Sequence, residues 1–269
     1  MISVIITTKN EEKNIGSALK SIGESVFNQD EIEVIVVDNN SSDKTKEIAE
    51  KYGAKVFNKG PERSAQRNLG AREALGKYIF YMDADMILSP GVLSEVVEKF
   101  ERDEELVGIY IREKVLGKGF WAKVRDYERQ FYNKTVVDAV RFMRRDDFLR
   151  IGGFDESLTG PEDWDLDKRI RKLGKVDILK SVVYHNEKEV GLLKMLSKKK
   201  YYSNGFEGYK KKWGDDKEVK KQFGLWYRYA LVFFENGKWK RVVKHPVLFC
   251  AVIFSKFFVG IIYLLRKRK

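Results

Sequence analysis

ISVIITT, residues 2–8, is a short run of mostly β-branched residues. Such a run predicts a strand, and its apolar character indicates burial on both faces. Further strands are predicted at 32–37, 55–58 and 78–82. Helices with one apolar side are predicted between them, at 15–25, 42–52 and 64–75. This alternation predicts an α/β fold with a mainly parallel sheet and helices on both faces.

The alternation is weaker after residue 105. Strands are predicted at 106–111, 138–143 and 182–184, and helices at 120–134 and 164–173. The first 187 residues are therefore expected to form one α/β domain.

Three of the predicted strands end in polar or acidic residues. Thr7 and Thr8 end the first, Asp38-Asn39-Asn40 the second, and Asp83-Ala84-Asp85 the fourth. Ligands of parallel α/β sheets bind at the carboxyl ends of strands, so these residues predict an acidic site there. Ser41, Ser42 and Asp43 are equally suited to cap the following helix.

The pair Asp83 and Asp85 is the strongest metal signal. Two neighbouring carboxylates repel each other unless a cation neutralises them. Mg²⁺ and Mn²⁺ bind through one or two carboxylates together with phosphate oxygens and water. Arg63 and Arg67, at the start of the third helix, suit a diphosphate, because a helix N-terminus and guanidinium groups both attract anions. The glycine-rich dinucleotide and phosphate-loop motifs are absent, which argues against a Rossmann dehydrogenase and a P-loop NTPase.

A second acidic stretch surrounds the helix predicted at 164–173. Asp165 and Asp167 suit the first turn of a helix, where carboxylates complement the helix dipole. Glu162 and Asp163 stand just before it, where a carboxylate can point into a cleft as a general base.

Together these residues resemble the family 2 glycosyltransferases with the GT-A fold. The resemblance covers about residues 1–187 and rests on five stretches in the family's order: Val4–Glu12, Val36–Thr45, Arg67-Asn68 with Gly70, Asp83–Asp85, and Gly152–Glu156 followed by Glu162–Leu166. Jointly these stretches are specific. Thr7 departs from the pattern, since the family often has proline there.

The resemblance implies a function and a role for each matched position. The enzyme would transfer a sugar from a UDP- or GDP-linked donor to an acceptor hydroxyl or lipid phosphate, with inversion and with Mn²⁺ or Mg²⁺. Asp163 would be the base, with Glu162 beside it. Asp85 would be the principal metal ligand, joined by Asp83 and by His185 after the last strand. The nucleotide sugar would be bound by Thr7, Thr8, Glu11, Asp38, Asn40, Arg67 and Asp83.

The last third of the chain differs in composition. Residues 188–269 carry 21 Lys and Arg against 6 Asp and Glu, whereas the preceding residues carry 31 against 34. Residues 188–246 form a basic, aromatic region that is predicted to be helical, and 247–269 a hydrophobic helix with a basic tail. Such asymmetry indicates an anionic partner surface. We expect association with the cytoplasmic face of the cell membrane, by a transmembrane, re-entrant or interfacial helix.

Lys256, near the middle of the hydrophobic stretch, opposes insertion into a bilayer by about 2.5–3.5 kcal/mol. A buried core helix with a solvated basic tail is therefore the alternative to membrane association. The single cysteine, Cys250, excludes a disulfide framework, and no secretory leader is expected.

Three other functions are weighed against glycosyl transfer. A nucleic-acid-binding role would use the basic tail but leave Asp38, Asp83 and Asp85 unexplained, so no nucleic-acid partner is expected. A nucleotidyltransferase would need a glycine-rich basic first loop, whereas Lys9 is the only base there. A non-catalytic nucleotide-sugar-binding protein would not need Asp163. The expected partners are a nucleotide-sugar donor, a glycan or polyprenyl-type lipid-linked acceptor, and a membrane surface.

Overall fold

The computed structural model describes residues 1–186 and 205–267, and side chains as far as Phe258. The chain forms two compact units. The first consists of residues 1–112, 139–157 and 162–186, and the second of 113–138, 158–161 and 187–269. The last residue of the first unit is Asn186, next to the predicted boundary at residue 187. The second unit also includes two earlier segments, 113–138 and 158–161. Residues 187–204, which include the start of the predicted basic, aromatic region, lie outside the described residues.

Eight strands form one sheet in the order β3-β2-β1-β4-β7-β6-β8-β5. They are β1 Ile2–Thr8, β2 Ile32–Asp38, β3 Lys55–Asn58, β4 Tyr78–Asp83, β5 Met86–Leu88, β6 Leu106–Leu116, β7 Phe142–Arg144 and β8 Lys175–Asn186. The first four pair in parallel, whereas β7 is antiparallel to β4 and β6, and β5 is antiparallel to β8. The α/β class is confirmed, and its parallel part is the half that contains the predicted strand ends.

Six helices of the first unit flank these strands: α1 Ile15–Gly23, α2 Thr45–Lys51, α3 Arg63–Glu73, α4 Val92–Arg102, α6 Arg145–Arg150 and α7 Glu162–Arg171. The helix between α4 and α6 in the chain, α5 Phe120–Arg129, belongs to the second unit. β1 is buried along its whole length. Val4 and Ile6 face a core that includes residues of α1, α2 and α4, and Ile5 faces a second core with residues of α3, α6 and α7. The strand is continuously apolar because helices cover both faces of the sheet.

Several elements differ from the sequence prediction. β5, α4 and α6 were not predicted, and β8 extends seven residues before the predicted strand at 182–184. The strand predicted at 138–143 begins only at Phe142. Val140 is nevertheless fully buried, so its apolar character reflects core packing rather than strand pairing.

The described part of the second unit contains α5 and five later helices: α8 Phe206–Trp213, α9 Lys217–Phe223, α10 Leu225–Tyr229, α11 Trp239–Lys244 and α12 Pro246–Lys267. Its core joins Val124, Tyr127 and Phe131 of the α5 region to Phe233 and Val252. α12 therefore packs against α5 on one side.

Lys256 of α12 has buried partners. Its Nζ lies 3.5 Å from Oε1 of Glu128 and donates to the Tyr132 hydroxyl and the Arg228 carbonyl, both at 2.9 Å. The charge counted against membrane insertion thus has partners inside the second unit. Within residues 1–186 and 205–267, no helix is both long enough and apolar enough to cross a membrane.

Candidate active site

The carboxyl ends of β1, β2 and β4 meet at one edge of the sheet. In the parallel register Thr8 is opposite Asp38, and Thr7 is opposite Asp83. The loops after β1 and β2 are tied together, because the Asn10 amide donates to Ser41 Oγ at 2.7 Å and the Glu11 amide donates to Thr45 Oγ1 at 2.8 Å. The predicted juxtaposition of the first, second and fourth strand ends is therefore present.

Asp38 is fully buried at this edge. Its two oxygens accept hydrogen bonds from the Ser41 amide at 2.7 Å and the Ser41 hydroxyl at 2.5 Å. Asn40 is exposed and adopts a left-handed backbone with φ of 51°, which asparagine tolerates well. Thr8 Oγ1 is buried without a hydrogen-bond partner among the described residues. The contacts predicted for these residues with a nucleotide stay predictions.

Arg67 lies at the centre of the site. Its Nη1 donates to Oδ1 of Asp163 at 2.8 Å, and its Nη2 donates to Oδ1 of Asp83 at 3.2 Å. The Arg67 side chain is 1% exposed, whereas those of Asp83 and Asp163 are 20% and 27% exposed. The guanidinium is thus buried, whereas its two carboxylate partners reach solvent. It links Asp83, one of the two predicted metal ligands of the fourth strand end, to the predicted base Asp163.

The surroundings of Arg67 hold its guanidinium in place. It lies 4.7 Å from the ring centre of Tyr81 and 5.1 Å from that of Phe154. Burial alone would lower the pKa of Arg67, but Asp163 and Asp83 raise it above its ordinary value. Burial likewise would raise the pKa of Asp83, and the charges of Arg67 and Arg63 outweigh it and hold that pKa well below its usual range. Both groups are therefore ionised at neutral pH.

Asp85 and His185 are brought together by the antiparallel pairing of β5 with β8. His185 Nε2 lies 3.0 Å from Asp85 Oδ2, and the Asn186 amide donates to the Asp85 carbonyl at 2.7 Å. Asp85 Oδ1 is buried and has no hydrogen-bond partner in the described part of the chain. A buried carboxylate oxygen without a donor is one that a cation would satisfy.

The remaining acids contribute to the same negative site. Burial raises the pKa of Glu11, the hydrogen bond from Asn14 opposes this, and the charges of Asp85 and Asp83 add to it. Among residues 1–186 and 205–267, no three His, Cys, Asp or Glu side chains are grouped closely enough to hold a metal by themselves. Mg²⁺ needs only one or two protein carboxylates when substrate phosphates complete its shell, so Asp85 with its neighbours suits such an ion.

Glu162 and Asp163 begin α7 side by side. Glu162 is 3% exposed, and its Oε1 lies 3.6 Å from Arg63 Nη2. Burial raises the pKa of Glu162, the neighbouring Asp163 raises it further, and Arg67 and Arg63 oppose the shift. Glu162 therefore binds a proton more readily than an ordinary glutamate.

Two residues of α3 outside the predicted site, Gln66 and Asn68, support it. Gln66 donates to the Thr8 and Val37 carbonyls at 3.1 and 2.6 Å, which joins the ends of β1 and β2. Asn68 binds the Phe154 carbonyl at 2.9 Å and Glu156 at 2.8 Å. Arg63, one turn before Arg67, lies 3.7 Å from Asp83. Arg63 and Arg67 were both predicted to suit a diphosphate, whereas nothing local in the sequence indicates the partners of Gln66.

Comparison with known proteins places the sequence in a family. The family described as Glycosyl transferase family 2 matches residues 3–153, more than half of the chain. The 4,4'-diaponeurosporenoate glycosyltransferase of Staphylococcus haemolyticus is 33% identical over 112 residues, which is 38% of this chain and 29% of that protein. The beta-monoglucosyldiacylglycerol synthase of Trichormus variabilis is 26% identical over 261 residues, 87% of this chain and 54% of that protein. The chain thus spans about half or less of these relatives.

Solved structures share the fold. A mannosyltransferase from Pyrobaculum calidifontis in complex with GDP-Man and Mn²⁺ aligns with a TM-score of 0.62 and 17% identity over 98% of this chain and 79% of that one. S. aureus TarS 1-349 in complex with UDP-GlcNAc aligns with a TM-score of 0.56 and 19% identity over 93% of this chain and 79% of that one. At these identities the likeness concerns the fold, and it confirms the GT-A architecture.

Proposed function

The chain belongs to glycosyl transferase family 2, and from this we propose that it transfers a sugar from a nucleotide-sugar donor to an acceptor hydroxyl or lipid phosphate. The observation that carries the proposal is the cluster in which Arg67 joins Asp163 to Asp83, and Asp83 precedes Asp85 by two residues. The cluster supports the proposal because Asp163 as a base, Arg67 as a fixed cation and Asp85 as a metal ligand would then act near the strand ends, where ligands of α/β sheets bind.

Asp163 is the proposed base. Its Oδ1 accepts the hydrogen bond from Arg67, so Oδ2 is the oxygen that would take the proton of the acceptor. Arg67 fixes the orientation of this carboxylate without approaching the acceptor, because its guanidinium is buried. Glu162 forms an ion pair with Arg63 and is not the proposed base. A single base with no second nucleophilic carboxylate corresponds to inversion at the anomeric carbon.

The departing nucleoside diphosphate needs compensation for its negative charge. Arg63 is the accessible arginine of the pair, with a side chain that is 36% exposed. The proposed cofactor is Mn²⁺ or Mg²⁺, which would stabilise the charge on the leaving diphosphate when bound. Asp85, through its unpartnered Oδ1, with Asp83 and His185 as neighbours, would hold it.

The proposed donor is a nucleoside diphosphate sugar, because two structural neighbours hold donors of that class. One structural neighbour holds GDP-Man and another UDP-GlcNAc, so both uridine and guanosine donors belong in the test. One relative is named as a synthase of a glucosylated diacylglycerol. A lipid hydroxyl is therefore tested as an acceptor, in addition to polyprenyl phosphates and glycans.

The proposal is tested with purified protein and a panel of UDP- and GDP-sugars, with Mn²⁺, Mg²⁺ or a chelator, and with diacylglycerol, polyprenyl phosphate or glycan acceptors. Released nucleoside diphosphate is measured for the wild type, Asp85→Asn and the exposed control Asp30→Asn. We expect release from one donor that requires metal and is lost only in Asp85→Asn.

Each other outcome contradicts the proposal. Release of pyrophosphate from a nucleoside triphosphate and a sugar phosphate would indicate a nucleotidyltransferase. Donor binding that depends on Asp85, without turnover on any acceptor, would indicate a non-catalytic binding protein. Absence of donor binding would refute the assignment of the site.

A further inference from the structure

One side of α12 is apolar and exposed. Val247, Cys250, Phe254 and Phe257 follow one another at intervals of three or four residues and therefore share one helix face. Val247, Phe254 and Phe257 are 69%, 51% and 59% exposed, and Cys250 is exposed as well. These four residues are called the apolar stripe below. Such a stripe on a protein surface marks an interaction site.

The opposite side of α12 is occupied. Val252, Ser255 and Lys256 are buried, and Lys256 pairs with Glu128 next to α5. α12 therefore lies along the rest of the second unit, and the apolar stripe is on its exposed side within the described side chains, which end at Phe258. A helix held in this way can enter an interface in its own plane.

The preceding helix α11 has the same character. Trp239 and Val243 are 47% and 70% exposed and stand four residues apart, on one helix face. Lys240 and Lys244 are exposed on this short helix too. Exposed tryptophan beside lysine is typical of segments that lie at the boundary between water and lipid.

A basic groove of about 690 Å³ adjoins the start of α12. Its lining includes the cationic side chains of Lys123, Arg241 and Lys244, with Leu248 next to the first residue of the stripe. Asp126 is its only carboxylate, and both Asp126 oxygens already accept hydrogen bonds, from the Val115 amide and from Gln130. The groove is therefore positively charged and suits phosphate groups.

The charge of the whole segment selects among partners. Residues 236–269 contain nine Lys and Arg and no Asp or Glu. A second copy of this surface would bring like charges together, which opposes self-association. An anionic surface complements both the charge and the stripe.

We propose that α11, α12 and the basic groove dock the protein in the plane of an anionic lipid bilayer. The apolar stripe enters the boundary between headgroups and acyl chains, and Lys123 and Lys244 contact headgroup phosphates. The occupant is the bilayer itself. The inference rests on the second unit alone and does not depend on the proposed transfer reaction.

The test is co-sedimentation of the full chain with vesicles of phosphatidylcholine, or of equal parts phosphatidylcholine and phosphatidylglycerol. The wild type is expected to sediment with the anionic vesicles, and less as salt increases. Phe254→Ser/Phe257→Ser should lower the partition coefficient by on the order of tenfold or more, since each buried Phe contributes about that much. Lys123→Glu/Lys244→Glu should lower it by at least about tenfold on anionic vesicles.

Matched controls come from exposed positions of the first unit. Leu75→Ser removes a side chain that is 69% exposed, and Lys51→Glu reverses an exposed charge. Both should sediment like the wild type. Thermal unfolding of all four variants should match the wild type, because the altered side chains are exposed.

Three results would overturn the proposal. The wild type stays in the supernatant with anionic vesicles, or the stripe variant sediments as well as the wild type. Alternatively, the wild type forms a concentration-dependent dimer that Phe254→Ser/Phe257→Ser abolishes, without binding vesicles, which would make the stripe a contact between copies.

Discussion

Each unit of the molecule contains a buried cation between oxygen partners, and the two arrangements differ in exposure. Arg67 binds Asp83 and Asp163, whose side chains remain 20% and 27% exposed. Lys256 binds Glu128, and their side chains are 6% and 2% exposed. In the first unit the carboxylates can still meet a ligand, whereas in the second the charges are closed off. The two buried cations are therefore distinguished by whether their carboxylate partners reach solvent.

The largest effect is expected for Arg67→Met. The substitution leaves Asp83 and Asp163 without their shared cation, and breaking a buried pair costs about 3–5 kcal/mol in the free energy of unfolding. Misplacement of the base should also lower turnover by on the order of 10²-fold or more. Urea unfolding and nucleoside diphosphate release measure the two effects. Arg63→Met, at a partly exposed position with longer ion pairs, should change unfolding by only about 1 kcal/mol or less. Equal stability of the two variants would contradict a central role for Arg67.

A stability loss of similar size, without a direct effect on the site, is expected for Lys256→Met. Glu128 would lose its buried cationic partner, and breaking a buried ion pair lowers the free energy of unfolding by about 3–5 kcal/mol. Glu128→Leu/Lys256→Met should recover most of that loss, because an apolar pair replaces the ion pair. Urea unfolding of the two variants decides the matter. A double variant no more stable than Lys256→Met would show that the pair does not act as one unit.

A smaller effect is expected for Tyr132→Phe. The Tyr132 hydroxyl donates to Glu128 at 2.5 Å and accepts from Lys256 at 2.9 Å, so its loss should lower the free energy of unfolding by about 1–3 kcal/mol. Thr7→Val removes the 3.2 Å hydrogen bond to Asp83, which is more exposed than Glu128. It should change the free energy of unfolding by about 1 kcal/mol or less. If Thr7→Val were the more destabilising variant, the distinction between open and closed arrangements would fail.

The subtlest expected effect is a pair of opposite pH dependences. Burial and Asp163 raise the pKa of Glu162 above its ordinary 4.5, so the folded state binds the proton more tightly and stability falls as pH rises through the raised pKa. Burial would raise the pKa of Glu33, but hydrogen bonds from Leu75, Lys55 and Ser3 outweigh it and lower that pKa below its ordinary 4.5. The stability that Glu33 contributes is therefore lost as pH falls from 4.5 through the lowered pKa.

The measurement is the free energy of urea unfolding against pH for Glu162→Gln and Glu33→Gln. Each variant should lose only its own dependence, with the two differences from the wild type of opposite sign. Differences of the same sign would contradict the environments described for these two carboxyl groups.

The sequence predicted the part of the fold in which local pattern and tertiary structure agree. β1, β2 and β4 are continuous apolar runs that end in polar residues, and the parallel register brings those ends together. β5 is only three residues long and shows no alternation of its own, so its pairing with β8 and the meeting of Asp85 with His185 depend on tertiary structure. α4 has an apolar spacing of four residues in Val92, Val96 and Phe100, which is typical of a helix with one buried face.

Charged residues were the hardest to interpret from sequence. The predictions that Arg67 lies near a diphosphate and that Lys256 opposes membrane insertion stay predictions, and the sequence did not indicate the partners that each residue has inside the protein. Asp163 is 96 residues from Arg67, and Glu128 is 128 residues from Lys256. A local sequence pattern cannot indicate a pairing between residues so far apart in the chain. The spacing of apolar residues, in contrast, indicates which face of a single helix or strand is buried.

The central claim is that Asp163 acts on the acceptor and Asp85 on the donor. The most direct measurement is donor affinity by calorimetry beside turnover, for Asp163→Asn and Asp85→Asn. We predict that Asp163→Asn binds the donor like the wild type but turns over about 10²–10⁴-fold more slowly, and that Asp85→Asn loses metal-dependent donor binding. Turnover of Asp163→Asn within a few-fold of the wild type would contradict the assignment of the base.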